Sequence, residues 1–416
     1  MKSIKVMVSA YACRPNQGSE PGVGWNTTRE LVKYHQVWVL TREDNRPTIE
    51  AELATNPIDG LQVVYYDLPN WARWWHKGQQ GVQLHYYLWQ IGAYFLARKL
   101  QREIKFDLIH HVTYVKYWSP SFLSLLPVPF IWGPVGGGES APQAFWQDFS
   151  WRGKVYEAMR DWARWLGEKD PFVRLTAQRS VAIQATTDDT AKRLYKFGIT
   201  NVQIYSETAL DSAEIAKLAM QPMPNMPIRF ISMGRLLHWK GFHLGLRAFA
   251  QADLPDDAEY WLLGEGPERS RLEALVAKLG IEHRVKFWNR LPREETLQKL
   301  GQSLALVHPS LHDSGGWVCL EAMATGRPVL CLDLGGPAVQ VTPETGFKVP
   351  AHTPEQAVQD LAKAMTLLAK DPQLRLQMGQ AGKKRIGDYY SWEIKGRSLN
   401  QLYQEILARS EATACQ

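Results

Sequence analysis

The sequence predicts an α/β protein made of two successive doubly wound, Rossmann-like units, each with a parallel sheet. Strand-like segments alternate with helix-like segments along the chain, which is the pattern of parallel sheets. The alternation stops at a segment with three prolines in eight residues, Met220 to Pro227, and then begins again. Ligands of such sheets bind beyond the carboxyl ends of the strands. We therefore expect two domains that face each other across a ligand-binding cleft.

The individual elements follow from hydrophobic periodicity and from the position of glycine and proline. In the first half, strands are predicted at 4–10, 36–41, 61–66, 108–112, 130–133 and 182–185, with helices at 26–34 and 188–197. In the second half, strands are predicted at 228–233, 260–264, 285–288, 304–307 and 329–332, with helices at 243–252, 269–279 and 294–301 and another from Glu321. The predicted domains are 1–222 and 223–388, followed by a C-terminal helical segment, 389–416.

Composition limits the class of protein. The 416 residues are 45% hydrophobic and 22% charged, which is typical of globular domains. The four cysteines lack metal-ligand spacing, so free thiols in a cytoplasmic protein are expected. The first ten residues do not match a signal peptide, and no segment reaches the roughly 20 apolar residues of a membrane span.

The first half contains an aromatic and basic stretch from Trp71 to Lys105. It holds eight aromatic residues and six Lys or Arg against one acid, Glu103. A second such stretch runs from Phe145 to Arg164. Tryptophan beside cations is typical of a membrane-interface surface, although the same rings can pack a core while the cations reach solvent. The helical spacing of Leu84, Leu88, Ile91 and Phe95 favours partial burial, and no nucleic-acid motif accompanies the charge.

The segment His308 to Val329 carries the most informative chemistry. Asp313 lies in a loop with two glycines, and Glu321 follows eight positions later at what is predicted to be the start of a helix. Carboxylates accept hydrogen bonds from sugar hydroxyls, while loop amides and a helix N-terminus favour phosphate. The segment therefore indicates a site for a polyhydroxylated, phosphorylated ligand, with a surface turn before a buried helix as the alternative.

A second motif follows the predicted strand at 228–233. Its sequence is GRLLHWKG, in which Gly234 permits a sharp turn and Arg235 and Lys240 supply two cations. Two cations at the carboxyl end of a strand suit a diphosphate, and the alternative is a turn with solvated charges. In the first half, the glycine-rich segment at 18–24 is neither a P-loop nor a dinucleotide-binding fingerprint, so ATP or NAD is poorly supported. His110 and His111 end the fourth strand, where one could meet the ligand or both could be structural.

Together, these motifs resemble the retaining glycosyltransferase family four, which has the GT-B fold. GRLLHWKG, GEGPERSRLEALVAKLG and HPSLHDSGGWVCLEAMATGRPVL carry the resemblance closely over residues 228–350, and DLIHHVT and WGPVGGGE carry it loosely in the first half. The resemblance implies that Asp313 contacts the donor sugar and Glu321 holds the ribose. It implies that Arg235 and Lys240 bind the diphosphate without a metal, and that the C-terminal helix packs back on the first domain. It further implies that the amides of Gly315, Gly316 and Trp317 approach the sugar and the diphosphate. Gly22 or Gly24 would offer an amide to phosphate, and Gly234 would also lie at the donor.

The sequence departs from the family pattern at three places. The first acid is Asp313 rather than the commoner glutamate, so its side chain is one methylene shorter. Val112 stands where a second histidine is frequent, which leaves the sugar-facing histidine unassigned between His110 and His111. The glutamate that commonly follows the later Gly-Gly pair is replaced by Pro337.

The expected function is retaining transfer of a hexose-type sugar from a UDP- or GDP-linked donor to a hydroxyl of a lipid-linked or saccharide acceptor. No metal or other cofactor is expected, nor is a nucleic-acid partner. Peripheral contact of the N-terminal domain with the cytoplasmic face of a membrane is a further expectation. Two alternatives share the architecture: a sugar-nucleotide epimerase and a non-catalytic sugar-nucleotide-binding subunit.

Overall fold

The protein contains two parallel β-sheets, as the sequence predicts. A computed structural model describes residues 3–73, 81–224 and 227–414. Two compact units are present, and each contains one sheet. The first comprises Met1–Gly138, Trp162–Glu207 and Trp392–Gln416, and the second comprises Glu139–Asp161 and Thr208–Ser391.

The secondary structure alternates throughout. The elements of the first half are β1 (Lys5–Ala10), α1 (Ser19–Val32), β2 (Gln36–Thr41), α2 (Arg46–Thr55), β3 (Leu61–Tyr65), α3 (Asn70–Arg73), α4 (Val82–Ile104), β4 (Leu108–Thr113), β5 (Phe130–Val135), α5 (Trp151–Lys169), α6 (Pro171–Arg179), β6 (Ser180–Ala185), α7 (Asp188–Tyr195) and β7 (Val202–Ile204). The second half continues with α8 (Ser212–Ala219), β8 (Arg229–Met233), α9 (Phe242–Gln251), β9 (Glu259–Leu263), α10 (Arg269–Leu279), β10 (Val285–Trp288), α11 (Arg293–Gly301), β11 (Ala305–His308), α12 (Trp317–Ala324), β12 (Val329–Leu332), α13 (Gly335–Gln340), β13 (Gly346–Val349), α14 (Pro354–Lys370), α15 (Pro372–Tyr389) and α16 (Trp392–Ala414).

The sheet of the first unit has the strand order β3-β2-β1-β4-β5-β6-β7, with every neighbouring pair parallel. Successive side chains of a strand point to opposite faces. On β1, Met7 joins one buried cluster, whereas Val6 and Val8 join another. Both faces of the sheet are therefore covered, which is why its strands read as nearly continuous apolar runs.

The sheet of the second unit has the strand order β10-β9-β8-β11-β12-β13 and is also parallel. Phe230 and Ile231, neighbours on β8, belong to different buried clusters. From β8 the chain first adds β9 and β10 on one side of the sheet and then returns to add β11, β12 and β13 on the other side. The point between β8 and β11 is the topological switch point, where open α/β sheets bind ligands. The predicted motifs GRLLHWKG and HPSLHDSGG follow these two strands.

The C-terminal helix α16 packs on the sheet of the first unit. The Tyr403 ring is fully buried, and its hydroxyl lies 2.6 Å from Nδ1 of His110. The same ring stacks on His35 with 5.6 Å between centroids. Because α16 begins at Trp392, three residues after the predicted start, Tyr389 and Tyr390 belong to the preceding helix and turn.

Several predictions differ from the structure. The first helix begins at Ser19 rather than at residue 26, because residues that read as a glycine loop form its first turns. The short edge strands β7 and β13 were not predicted. The units also do not meet at 222/223: residues 139–161 and 208–222 group with the second sheet.

Of the four residues in the helical stripe of the aromatic and basic stretch, three are exposed, and only Leu88 is partly buried as predicted. Leu84, Ile91 and Phe95 on α4 have exposed fractions of 56%, 37% and 62%. The buried face of α4 is instead formed by residues such as Tyr86 and Trp89. Trp74, Trp75 and Lys77, which belong to the same predicted stretch, lie outside the described residues, as does Cys415. The other three cysteines are free, as predicted, and are buried.

Candidate functional site

The loops after β8 and β11 are held together at the switch point of the second sheet. The backbone N–H of Leu311 donates to the carbonyl of Trp239 at 2.8 Å. Gly241 has φ of +66°, and a β-carbon there would lie 2.0 Å from the carbonyl oxygen of Pro309. Only glycine accommodates both this conformation and this approach. The sequence therefore folds so that two motifs separated by some seventy residues form one site.

Asp313 is the centre of this arrangement. Its Oδ2 accepts hydrogen bonds from Nζ of Lys240 at 2.5 Å and from Nε2 of His308 at 3.1 Å. Its Oδ1 accepts a longer bond, 3.4 Å, from the backbone N–H of Gly316. The two residues that the sequence assigned to the sugar and to the diphosphate are thus in direct contact.

The charge of Asp313 is stabilised by its neighbours. Burial alone would raise the pKa of the carboxyl, but the Lys240 ammonium and the His308 hydrogen bond hold that pKa well below its usual range. Burial lowers the pKa of His308, so the imidazole is neutral near pH 7 and its Nε2–H is the donor. Asp313 is consequently a carboxylate at neutral pH.

The glycine loop before α12 has a fixed backbone. Gly316 adopts a left-handed conformation (φ +57°, ψ 38°) and is the N-cap of α12. The Gly336 N–H donates to the carbonyl of Asp313 at 2.7 Å, and the hydroxyl of Thr208 donates to the carbonyl of Gly315 at 3.2 Å. The loop is therefore shaped by contacts from two other segments of the unit.

The helix α12 begins at Trp317, four residues earlier than its predicted start at Glu321. Trp317 is thus the first helical residue, and Glu321 lies in the second turn. The N-terminus of α12, where the helix dipole favours an anion, lies at Gly316 and Trp317. This places the predicted phosphate-binding amides and the predicted ribose-binding acid on successive turns of one helix.

Glu321 is buried and forms an ion pair that the sequence did not predict. Its Oε1 accepts from the guanidinium of Arg293 at 2.7 Å, and Arg293 also contacts Glu214 at 2.5 Å. Burial raises the pKa of Glu321, and Arg293 opposes that shift. Arg293 is the first residue of α11, where the helix dipole disfavours a cation. An arginine at that position was the available signal that a carboxylate partner exists.

A cavity of about 580 Å³ opens beside these residues. Gly234 and Arg235 line it from the end of β8, Gly264 from the end of β9, and Val318 and Glu321 from α12. Its volume is in the range of small-molecule sites. Within the described part of the chain Arg235 forms no ion pair, so its guanidinium is available to an anion. Lys240 and Asp313 are not among the residues that line the cavity.

Gly234 and Gly264 allow the two strand ends to approach closely. Their φ angles are +140° and +137°, and a β-carbon on Gly264 would lie 2.0 Å from the carbonyl oxygen of Gly234. Gly264 and Glu265, the first two residues of the segment GEGPERSRLEALVAKLG, thus contribute to the cavity wall. The eight predicted site residues of the second unit therefore occupy one region, built from the loops after β8 and β11 and from α12.

The other four predicted residues belong to the first unit. His110 and His111 are fully buried. His110 contacts the Tyr403 hydroxyl and the Gly133 carbonyl at 2.6 and 2.7 Å. His111 contacts the hydroxyls of Ser9 and Tyr86 at 2.9 and 3.0 Å. Burial lowers their pKa values to about 4 and about 3. Both rings use both nitrogens within the fold, which favours the structural alternative over contact with a sugar.

Gly22 and Gly24 lie inside α1 and not in a loop. A β-carbon at Gly22 would be 2.0 Å from the carbonyl of Gln17, and one at Gly24 would be 2.3 Å from the carbonyl of Ala12. Both glycines are buried, and Gly24 is past the amides that a helix leaves free. Their evident role is close packing of α1 against the loop after β1. The predicted phosphate contact at Gly24 is therefore not supported by this geometry.

Metal ligands are not gathered anywhere in the described ranges. Over residues 3–73, 81–224 and 227–414, no group of three or more His, Cys, Asp or Glu side chains is arranged to hold a metal ion. None of the helices in these ranges combines the length and apolar composition that a bilayer span requires.

The second unit contains a parallel, Rossmann-like sheet with a cavity at the carboxyl ends of β8 and β9. Residues 217–385, which are less than half of the chain, match the family model of glycosyl transferases group 1. The predicted family resemblance is confirmed.

Two named glycosyltransferases are similar to part of this chain. The chain is 32% identical over 178 residues to 2-deoxystreptamine glucosyltransferase of Streptomyces kanamyceticus, covering 42% of this chain and 45% of that protein. It is 32% identical over 179 residues to the GDP-mannose-dependent monoacylated alpha-(1-6)-phosphatidylinositol monomannoside mannosyltransferase of Corynebacterium glutamicum, covering 41% and 45%. The match spans less than half the length of either relative.

The fold is shared with solved structures over nearly the whole chain. Sucrose-phosphate synthase (tll1590) from Thermosynechococcus elongatus superposes with a TM-score of 0.65 at 18% identity, covering 98% of this chain and all of that one. The GT-B prediction, with two Rossmann-like domains, is confirmed at the level of fold class.

Proposed function

We propose that this protein is a retaining glycosyltransferase. It transfers a hexose-type sugar from a UDP- or GDP-linked donor to a hydroxyl of a lipid-linked or saccharide acceptor. One observation carries the proposal. Glu321 and Arg235 face the same cavity at the carboxyl ends of β8 and β9, and helix α12 connects that cavity to the Asp313–Lys240 pair. The relatives named for glucosyl and mannosyl transfer support the same class of reaction.

Each group has a role that its chemistry allows. Glu321 accepts hydrogen bonds from the ribose hydroxyls inside the cavity. The guanidinium of Arg235 donates two parallel hydrogen bonds to the diphosphate. Asp313 accepts hydrogen bonds from the donor sugar, and Lys240 contributes positive charge beside it. The positive end of the α12 dipole, at Gly316 and Trp317, adds to the electrostatic field that favours the diphosphate.

The reaction breaks the bond between the anomeric carbon and the diphosphate oxygen. An oxocarbenium-like transition state forms, and Arg235, Lys240 and the helix N-terminus stabilise the charge that develops on the leaving diphosphate. The acceptor oxygen attacks from the face that the diphosphate leaves, so the anomeric configuration is retained. The acceptor proton passes to the departing phosphate. These fixed positive groups make a metal unnecessary in this proposal.

Incubation with a panel of UDP- and GDP-hexoses tests the proposal, with lipid extract and free sugars as acceptors. We expect release of free nucleoside diphosphate, a product with the donor's anomeric configuration, and full activity in the presence of EDTA. An epimerised donor without diphosphate release identifies the epimerase alternative. Binding without turnover identifies the non-catalytic subunit. A product of inverted configuration contradicts retention.

The buried Glu321 predicts an acid-sensitive donor affinity. Because burial raises its pKa, the carboxylate that accepts the ribose hydrogen bonds is lost at a higher pH than an ordinary glutamate would require. The affinity for the nucleoside diphosphate should therefore fall as pH is lowered through that raised pKa. Calorimetric titration between about pH 4 and pH 8 checks this, given the ordinary glutamate pKa of about 4.3.

Glu321→Gln provides the control for this pH dependence. The amide cannot titrate, so Glu321→Gln should bind the nucleoside diphosphate more weakly at neutral pH. Its affinity should keep only the pH dependence of the terminal phosphate, whose second pKa is about 6. A curve for Glu321→Gln that falls with the same midpoint as the unmodified protein would assign the titration to another group.

We also propose that α4 of the first unit contacts a membrane that carries the acceptor. Leu84, Ile91 and Phe95 are exposed on one stripe of the helix. The exposed cations Arg98 and Arg102 continue along the same helix toward its C-terminus. Apolar side chains followed by cations suit the boundary between lipid tails and anionic headgroups. The location that follows is the cytoplasmic face of a membrane.

Vesicle sedimentation tests this contact. The protein should sediment with phosphatidylcholine vesicles that contain phosphatidylglycerol, and Leu84→Ser with Phe95→Ser should weaken binding by about tenfold or more, given roughly 1.5–3 kcal/mol for burying such a side chain. The matched control is Leu367→Ser with Leu376→Ser, because both leucines are 45% exposed in the second unit. Equal sedimentation of both double variants would contradict the proposal.

A further inference from the structure

A single buried carboxylate anchors both loops of the donor site. Glu157, on α5, is 1% exposed. Its Oε1 lies 3.0 Å from Nε2 of His238 and 2.9 Å from Nε2 of His312. A carboxylate only accepts hydrogen bonds, so both imidazoles donate to the same oxygen. The two histidines come from different loops, one after β8 and one after β11.

Aromatic packing reinforces this arrangement. Trp239 is stacked between Tyr156 and His312, with 5.1 Å between centroids on each side and interplanar angles of 13° and 20°. Phe149 meets the ring of His238 edge-on at 4.9 Å. A β-carbon at Gly153 would lie 3.1 Å from Cγ of His238, so the first turn of α5 fits tightly over that ring. These contacts leave each loop little freedom to move away from α5.

Glu157 is ionised in this environment. Burial alone would raise its pKa, but the hydrogen bonds from His238 and His312 outweigh burial and hold the pKa well below the ordinary range. Arg160 adds a cation at 3.5 Å from the other carboxylate oxygen. A charged acceptor makes stronger hydrogen bonds than a neutral one. The anchor therefore depends on the charge as well as on the shape of the side chain.

The anchored histidines are close in sequence to the reacting groups. Lys240 is two residues after His238, and Asp313 directly follows His312. Lys240 and Asp313 contact each other at 2.5 Å. Fixing the two histidines to one oxygen thus fixes the separation of the two loops at the place where each presents its charged group.

We propose that Glu157 is a positioning residue, which sets the placement of Lys240 and Asp313 through His238 and His312. The inference rests on the proposed function, because it assigns those two groups to the donor. Glu157 itself acts through the histidines. It lies in the first half of the chain by sequence, yet it belongs to the compact unit that holds the donor site.

Hydrogen–deuterium exchange of Glu157→Gln tests the proposal without requiring turnover. Glutamine keeps the size of the side chain and removes its charge. We expect exchange to rise about tenfold in peptides covering 236–241 and 308–314, because the charge-assisted hydrogen bonds are weakened, and to stay unchanged in β8, β9 and β12. The matched control is Glu168→Gln on the same helix, whose carboxylate accepts from Tyr117 and Arg193 at 2.9 and 3.3 Å.

The outcomes separate the inference from the proposed function. Faster exchange confined to the two loops supports the positioning role even if no donor is ever turned over. Where the unmodified protein does turn over a donor, kcat should fall about tenfold in Glu157→Gln with a smaller change in donor KM. Unchanged loop exchange overturns the inference. An equal rise throughout the second unit also overturns it, because Glu157 would then support only global stability.

Discussion

Asp313→Asn is expected to lower kcat by about 100- to 1000-fold, the usual loss when one preorganised electrostatic group is removed. Asparagine preserves the shape of the side chain but cannot balance the ammonium of Lys240, which contacts Oδ2 at 2.5 Å. A carboxylate has two oxygens that accept hydrogen bonds from sugar hydroxyls. In asparagine one of these oxygens is replaced by an NH2 group, which can only donate. Affinity for the nucleoside diphosphate alone should change little, because the cavity that contains Glu321 is untouched. Steady-state kinetics and calorimetric binding of the diphosphate measure the two effects separately.

Asp333→Asn is the matched control for this substitution. Asp333 also follows a strand of the second sheet and pairs with a lysine, Lys348, at 3.5 Å, but its side chain is 54% exposed. An exposed pair of this kind contributes little to stability or to any site. We expect unchanged kinetics for this control. If Asp313→Asn turned over within threefold of the unmodified protein, the assignment of Asp313 to the donor sugar would be wrong.

The fold of the second unit was largely predictable because its local signals agree. The predicted helix at 269–279 and the strands at 285–288 and 329–332 match the structure residue for residue. In this unit the apolar runs are buried strands, and glycines with positive φ mark strand ends such as Gly234 and Gly264. Hydrophobic periodicity and the turn residues therefore predict the same elements. The site residues could be predicted because they follow β8 and β11.

The errors in the first unit come from glycines that serve packing. Gly22 or Gly24 was predicted to offer a loop amide to phosphate. The sequence does not distinguish a glycine in a turn from one that lets a helix approach another backbone segment closely. Tertiary contact with the carbonyls of Gln17 and Ala12 overrides the low helix propensity. The histidines at 110 and 111 show the same limit, since their partners Tyr403 and Ser9 are distant in sequence.

The site partners that sequence reasoning missed are joined across long separations. Arg293 reaches Glu321 from another helix, and Glu157 reaches His238 and His312 from more than eighty residues away. Spacing along a chain identifies groups that share a loop or helix, such as Asp313 and Glu321. It does not identify an acid that comes from a distant helix, because nothing local distinguishes Glu157 from a solvated helix residue.

Arg235→Ala and Lys240→Ala should each lower turnover by about 100-fold or more, but with different effects on stability. Arg235 is exposed and forms no ion pair within the described residues, so its loss should leave the melting temperature unchanged and weaken diphosphate binding. Lys240 is the partner of Asp313, and its loss leaves a largely buried carboxylate without its ammonium. We therefore expect Lys240→Ala to melt at a lower temperature at neutral pH.

The sign of the pH dependence follows from Asp313. Its folded-state pKa is held below the unfolded value, so the pair adds stability above the unfolded pKa, and this stability is lost as pH falls through the folded pKa. The difference in free energy of unfolding between Lys240→Ala and the unmodified protein should accordingly become smaller in acid. Lys286→Ala is the control, because Lys286 pairs with Glu259 at 2.5 Å and is 52% exposed. Unchanged turnover in both Arg235→Ala and Lys240→Ala would contradict the assignment of the diphosphate site.

The double variant Lys240→Ala with Asp313→Asn tests whether the two side chains contribute to turnover through their contact with each other or independently. If the two side chains act through their mutual contact, the double variant should lose no more turnover than the worse single variant, because the first change already removes what the second would. If each contacts a different part of the donor, the losses in free energy should add. Given the 2.5 Å contact, we expect strong non-additivity in stability. For turnover we expect partial additivity, since Lys240 faces the leaving diphosphate and Asp313 the sugar in the proposed mechanism.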